Sequence, residues 1–232
     1  MDDLTLRDKG SDNQRRIIAK LCGCRLVTAN EGNARVRLDM ALLKTLASSD
    51  LLSGAHLYEN EFTFTPTHKL VLATNNKPDL EVDDAARRRV HLVPFNVSFK
   101  GREDRTISEK LKAEAPGILH LMIEACQEWQ RIGLNPPASV AAATADLFRD
   151  LDPLGRFMEE CLEKHTDGFA STSALVKAYG DFLHANGEDQ YVEQKTLITQ
   201  IRERGGYKAG VGRSAQGQQL RGVRGVKIKD PQ

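Results

Sequence analysis

Aromatic residues are scarce, at 6% of 232 residues with a single tryptophan, Trp129. Cysteine is scarce too, and four in a chain this long exclude a disulfide scaffold. No run approaches the roughly 20 apolar residues that a membrane helix needs. Met1-Asp2-Asp3-Leu4 lacks the basic and apolar regions of a secretory signal. A reducing, cytoplasmic setting is therefore expected. Charge of one sign is also missing: 33 Lys+Arg stand against 32 Asp+Glu, a formal +1. The total points to neither nucleic acid nor membrane, although a near-zero sum can hide opposed regions. Cys22-Gly23-Cys24 is too tight for the usual paired zinc spacing and has no matching second pair, so buried thiols are expected. Cys161 and His165 stand four apart, as on one helix face. Two ligands alone do not hold a structural zinc, so a core thiol and a surface histidine are expected there.

What remains is an ordinary globular composition, 40% hydrophobic and 28% charged, long enough for one large domain or two modest ones. Residues 14–22 suggest a short helix, and Arg25-Leu26-Val27-Thr28-Ala29 a buried strand ending at Asn30-Glu31-Gly32. Apolar residues from Ala34 to Leu46 fall at helical spacing. Phe62-Thr63-Phe64-Thr65 alternates with period two. Lys69 to Thr74 is a continuously apolar strand of the kind covered on both faces, stopped at Asn75-Asn76-Lys77-Pro78. Val90 to Phe95 reads as a third strand. Residues 104–133 are helical, with Pro116 in a first turn, and an Ala-rich helix follows from Ser139 to about Leu151. Asp152-Pro153 looks like a hinge. Strands with helical intervals predict an α/β sheet.

The tail follows a different logic. Helical patterns occupy 153–164, 172–186 and 193–204, and a Gly-rich basic segment from Tyr207 to Lys229 carries strand residues. Three helices followed by a two-stranded ribbon is the order of a winged helix. Between 195 and 229 stand nine cations, Lys195, Arg202, Arg204, Lys208, Arg213, Arg221, Arg224, Lys227 and Lys229, against Glu203 alone. That segment carries +8 and the rest of the chain −7. Cations on a third helix and a glycine-rich wing suit phosphate contacts and counterion release. The ribbon has almost no aromatics, so base stacking is not expected there.

A strand ending in a carboxylate, as at Glu31, is the Walker B arrangement, which orients water or holds Mg²⁺ near a phosphate chain. Asn75, at the end of the second strand, is placed like a sensor of the attacking water or the γ-phosphate. The arginine run Arg87-Arg88-Arg89 precedes a strand, and an arginine projected across a subunit boundary neutralises charge on a transferring phosphoryl group. Together these have the order of an oligomeric nucleotide-hydrolase core.

The segments RLVTANE, LDMALLKTLASSD, FTFTPTHKLVLATNNKP and RRRVHLVPF resemble the phage and plasmid primase-helicase family. This is the superfamily-three helicase module of satellite-phage primases and virus replication proteins. The resemblance covers about residues 14–150. It implies an AAA+-type fold, ATP and Mg²⁺ as cofactors, a homo-oligomeric ring, DNA as partner, and a bacterial host or prophage as source. It makes Glu31 the Walker B acid, with Mg²⁺ held through water, Asn75 the sensor and Arg88 or Arg89 the arginine finger. It also implies a DNA-gripping hairpin at about 53–65, with His56 as the polar contact. The chain departs from the family at Ser48-Ser49-Asp50, usually Gly-Gly-Asp, at His56, usually basic, at His91, often arginine, and in the acidic tip Glu59-Asn60-Glu61.

G-x-x-x-x-G-K-[ST] occurs nowhere in the 232 residues. A P-loop's glycine amides and lysine cradle the phosphates, and no other segment supplies that cradle. The sequence therefore predicts a partial helicase domain at 1–150 and a winged-helix DNA-binding domain at 153–232. The expected role is the C-terminal helicase portion of a primase-helicase, with the chain alone inactive as an ATPase. Two alternatives remain: a non-enzymatic DNA-binding module, and a subunit lending an arginine finger to a P-loop-bearing partner.

Overall fold

The computed structural model describes residues 11–30, 37–188, 192–214 and 216–229. The fold is mixed α/β and divides into two compact units, Met1–Leu147 and Phe148–Gln232.

In the first unit, α1 (Ser11–Ala19) leads to β1 (Leu26–Asn30). The helix α2 (Met40–Leu46) starts only at Met40, because the Asp39 side chain accepts from Leu42 N at 2.9 Å and caps it. Ahead of that cap Arg37 bridges Asp79, so the helical pattern expected from Ala34 is not realised at 37–39; residues 34–36 lie outside the described ones. The strands β2 (Leu52–Gly54) and β3 (Phe62–Phe64) form an antiparallel hairpin, and β4 (Lys69–Ala73) pairs parallel with β1. Ile18, Leu21, Leu42, Leu46 and Leu52 form the core of this unit, with Val27, Phe64 and Leu70 packed on it. Gly54 lets α1 lie against the hairpin, since a Cβ there would meet Ala19 N at 2.7 Å.

Two expectations for this sheet are corrected. β4 is covered on one face only among the described residues: Leu70 packs inward while Val71 is 49% exposed. Residues 90–95 form no strand and join no ladder. Leu92 N instead donates to Thr144 Oγ1 at 2.9 Å, so this backbone group is satisfied by a side chain and not by a neighbouring strand. The helices α3 (Asp84–Arg87), α4 (Ile107–Ala113) and α5 (Ala115–Ile132) follow, with Pro116 in the first turn of α5. α5 is amphipathic in sequence yet buries none of its residues among the described ones; Leu121, Met122 and Trp129 are all exposed. α6 (Ala138–Asp150) carries the chain into the second unit.

The second unit runs α7 (Pro153–Cys161), β5 (Leu162–Ser171), α8 (Thr172–Ala185), α9 (Gln194–Gly205), β6 (Lys208–Arg213) and β7 (Gln219–Ile228). Its sheet has the order β5-β7-β6, antiparallel throughout. β5 corrects the helix expected over 153–164, which ends at Cys161. Leu162 and Ala170 point into the core while the backbone pairs with β7, so tertiary pairing overrides local helical spacing. The expected hinge at Asp152-Pro153 is a helix cap: Asp152 accepts from Gly155 N at 3.1 Å, and proline occupies the first turn. The core joins Phe157, Leu175, Tyr179, Phe182, Leu197, Ile201, Val223 and Val226, with Phe157 edge-on to both Tyr179 and Phe182.

Phe157 is fully buried. Phe157→Ala should cost about 3–5 kcal/mol of stability, measured by chemical denaturation of the whole chain followed by circular dichroism. An unchanged denaturation midpoint would show that this residue does not organise the core.

Candidate nucleotide-edge and nucleic-acid sites

The parallel register of β1 and β4 runs from Leu26↔Lys69 to Asn30↔Ala73, so the chain leaves both strands at one edge of the sheet. Glu31 follows Asn30 directly in sequence and lies outside the described residues. Asn75 stands two residues beyond β4 and is exposed. The intervening turn is held by Thr74, whose Oγ1 donates to Asn76 O at 2.8 Å and accepts from Asn76 N at 3.1 Å. The bridge Arg37↔Asp79, with Leu38 N donating to Asp79 O at 2.8 Å, then fastens the chain beyond this turn.

From there the chain reaches Asp83, which caps α3 through Ala86 N at 2.7 Å and pairs with Lys44 of α2. Lys44 holds the Asp83 carboxyl below the usual aspartate range, and the bond from Ala86 N adds to this. The short helix presents Arg88 and Arg89 to solvent. Each guanidinium donates once to a helix carbonyl, Arg88 Nε to Asp84 O and Arg89 Nη1 to Ala85 O, both at 3.2 Å. Among the described residues neither meets a carboxylate, which leaves most of each planar fork available. No three His, Cys, Asp or Glu side chains converge as a metal site among the described residues.

His68, inside the THKL segment, is a site the sequence does not single out. It is 6% exposed, and its Nε2 lies 3.1 Å from Leu46 O at the end of α2. His56 sits on the hairpin loop, exposed, with its ring stacked on Phe62 at 5.6 Å between centroids. Cys22 is exposed and Cys24 half-buried, correcting the buried thiols expected there. Cys161 ends α7 while His165 lies in β5, so they share no helix face; burial pushes the Cys161 thiol pKa up.

The cations of the second unit are not equivalent. On α9, Leu197 and Ile201 point into the core, which turns Lys195, Thr199 and Glu203 outward. Arg202 is half-buried, and its Nε has no hydrogen-bond partner among the described residues. Arg204 is turned away from that face: its Nη1 donates to both Asp152 oxygens at 2.7 and 2.9 Å. The ribbon register pairs Lys208 with Arg224 and Val211 with Arg221. Arg221 and Arg213 therefore share the sheet face of Val223, the side that carries the helices. Lys208 and Arg224 lie on the opposite face, where Arg224 folds across Gly210 and donates to Val211 O at 3.0 Å. Phe169 covers Gly212 and Gly222 on that same face. Lys227 Nζ lies 2.9 Å from His165 Nε2, and Lys229 Nζ donates to Glu159 O at 2.7 Å. No helix among the described residues is long and apolar enough to cross a membrane.

No known protein-family profile matches the chain. It is similar to a protein of Acanthamoeba polyphaga mimivirus described as a helicase, at 24% identity over an alignment of 222 positions. The match covers 87% of this chain and 23% of the viral protein, so the chain spans about a quarter of that relative's length. The relationship is helicase-like.

Lys44→Met should return the Asp83 carboxyl toward the ordinary range, followed by carbon-detected NMR titration. In the unaltered chain the pair contributes above the ordinary aspartate pKa and is lost as pH falls through the lowered value. An Asp83 titration that does not move in the variant would remove Lys44 as its cause. Asp152→Ala removes the α7 cap and the Arg204 partner together. It should cost about 1–2 kcal/mol from the cap, while Arg204→Ala, at a partly exposed pair, should cost under about 1 kcal/mol. Equal losses in thermal denaturation would contradict that ordering.

Proposed function

We propose that this chain is the helicase portion of a phage or plasmid primase-helicase, with an incomplete AAA+-type core at 1–150 and a winged-helix DNA-binding domain at 153–232. The observation that carries the reading is the common edge at which β1 and β4 end, since it gives Asn75 and the residue after Asn30 a shared exit from a parallel sheet. In this reading Glu31 polarises water and supports Mg²⁺, Asn75 senses the γ-phosphate, and Arg88 or Arg89 reaches a neighbouring subunit's ATP in a homo-oligomeric ring. The helicase-like relative supports the class of activity. The open guanidinium forks support the arginine-finger role.

The phosphate cradle is not among these 232 residues, so the nucleotide must be gripped by a P-loop elsewhere, in the intact parent or a partner. The chain alone should not hydrolyse ATP. Mixed with a P-loop-bearing partner it should do so, and Arg88→Ala with Arg89→Ala should abolish the joint turnover. Turnover by the isolated chain that disappears in Glu31→Gln would overturn the first expectation. Joint turnover indifferent to the double variant would overturn the second.

The second unit takes duplex DNA on α9 and the ribbon. Its helix–strand–helix–helix–strand–strand order supports this, as does the open placement of Lys195, Arg213 and Arg221. Its separate core favours one further reading, in which this unit binds DNA without help from the first. Replacing Lys195, Arg213 and Arg221 by alanine should flatten the log–log salt dependence of duplex affinity by about 0.9 for each phosphate no longer neutralised. Lys227→Ala should leave it unchanged. The reverse pattern would place the DNA elsewhere.

A further inference from the structure

The turn that joins α1 to β1 puts two thiols within reach of solvent. Cys22 is exposed and Cys24 half-buried, with Gly23 between them at φ 76°. Cys24 N donates to Leu21 O at 3.1 Å, which closes the turn, and glycine takes the positive φ without strain. Residues two apart are separated by about 7 Å at most. Folded into a turn, their Cα atoms fall in the roughly 4–7 Å that a disulfide bridges. The connector is anchored through its backbone: Thr67 Oγ1 donates to Cys24 O at 2.9 Å and Lys69 N to Arg25 O at 3.0 Å. The Cys24 thiol donates to Lys20 O at 3.3 Å, a weak bond that rotation of the side chain exchanges for Cys22. The thiol can therefore turn while the backbone stays in place.

The surroundings suit attack on a disulfide. No Asp or Glu occurs between Asn13 and Asn30, whereas Lys20 and Arg25 flank the pair, both exposed. Neighbouring cations favour the thiolate, the form that attacks, and attract an anionic oxidant. We propose that Cys22-Gly23-Cys24 is a redox site, a dithiol that closes to a disulfide at the expense of an anionic small-molecule disulfide of the glutathione type. The Cys22 thiolate attacks one sulfur of the oxidant, whose S–S bond breaks, and the first thiol leaves. The Cys24 thiolate then attacks Cys22 Sγ in the mixed disulfide and expels the second thiol. The protons lost by Cys22 and Cys24 end on the two released thiols, so two cysteines are oxidised and one disulfide is reduced. In a reducing setting such a bond forms transiently, as a response and not as a staple. This chemistry is independent of the helicase reading. Cys126, exposed on α5 with no cysteine beside it in the sequence, supplies an internal comparison, because it has no resolving thiol next to it.

The test treats the whole chain with glutathione disulfide, alkylates the remaining thiols and reads tryptic peptides by mass spectrometry. Cleavage after Lys20 and after Arg25 releases Leu21–Arg25, which carries both thiols. This peptide should lose two hydrogen atoms and retain no glutathione, while the Cys126 peptide should gain one glutathione. Cys24→Ser should stall the reaction with one glutathione on Cys22. Cys22→Ser should leave the half-buried Cys24 unmodified over the same interval. Excess reduced glutathione should reopen the Cys22–Cys24 bond. A parent peptide that carries glutathione on both thiols, or stays reduced while Cys126 reacts, overturns the proposal. So does Cys22 joined to a second chain on a non-reducing gel, or a Cys24→Ser chain that holds no glutathione.

Discussion

β7 lies between β5 and β6; its register sets which way the ribbon's cations face, and a single glycine in it sets the face of Lys227. Val223 and Val226 are both fully buried, yet they are three apart, a spacing that strict alternation forbids. Gly225, at φ 91°, breaks the alternation, and opposite it β5 bulges, its register shifting between Lys164 and Phe169. Lys227 is thereby kept outward, on the face of Arg224. Ahead of Gly225, ordinary alternation puts Arg221 on the helix-bearing face and Arg224 on the other. The +8 of this segment is thus not one patch. Part of it holds the fold together, through Arg204 on Asp152, Arg224 over Gly210 and Lys229 on Glu159, and part remains open to a partner.

In the first unit helix caps take the corresponding role. Asp39 starts α2, His68 closes it, and Asp83 both starts α3 and holds α2 through Lys44. These polar contacts fix where Arg88 and Arg89 leave the chain, although α3 is only four residues long. The parallel ladder places the other candidate residue, because the same register delivers Asn30 and Ala73 to one edge, two residues short of Asn75.

Most elements are legible from spacing: β1, β3, β4, α5, α6, α8 and α9 fall within a few residues of their expected places. The exceptions share one cause, a partner distant in sequence. Residues 90–95 have strand composition, but Thr144 takes the backbone group of Leu92. Residues 162–164 continue a helical pattern until β7 draws them into a sheet. The candidate cations are legible as a count and not as a set. Nothing local distinguishes Arg204, bound to Asp152 from 52 residues away, from Lys195 on the open face. Cys22 and Cys24 are legible as a pair, but only the turn that holds them shows that they are accessible.

Whether DNA lies on the outward face of α9 and the helix-side face of the ribbon is tested most directly by amide hydrogen exchange of the whole chain, with and without duplex DNA. The expected result is slowed exchange at the start of α9 and at the β6–β7 ends carrying Arg213 and Arg221, with β5 unchanged. Protection confined to the first unit, or centred on β5, would contradict that placement.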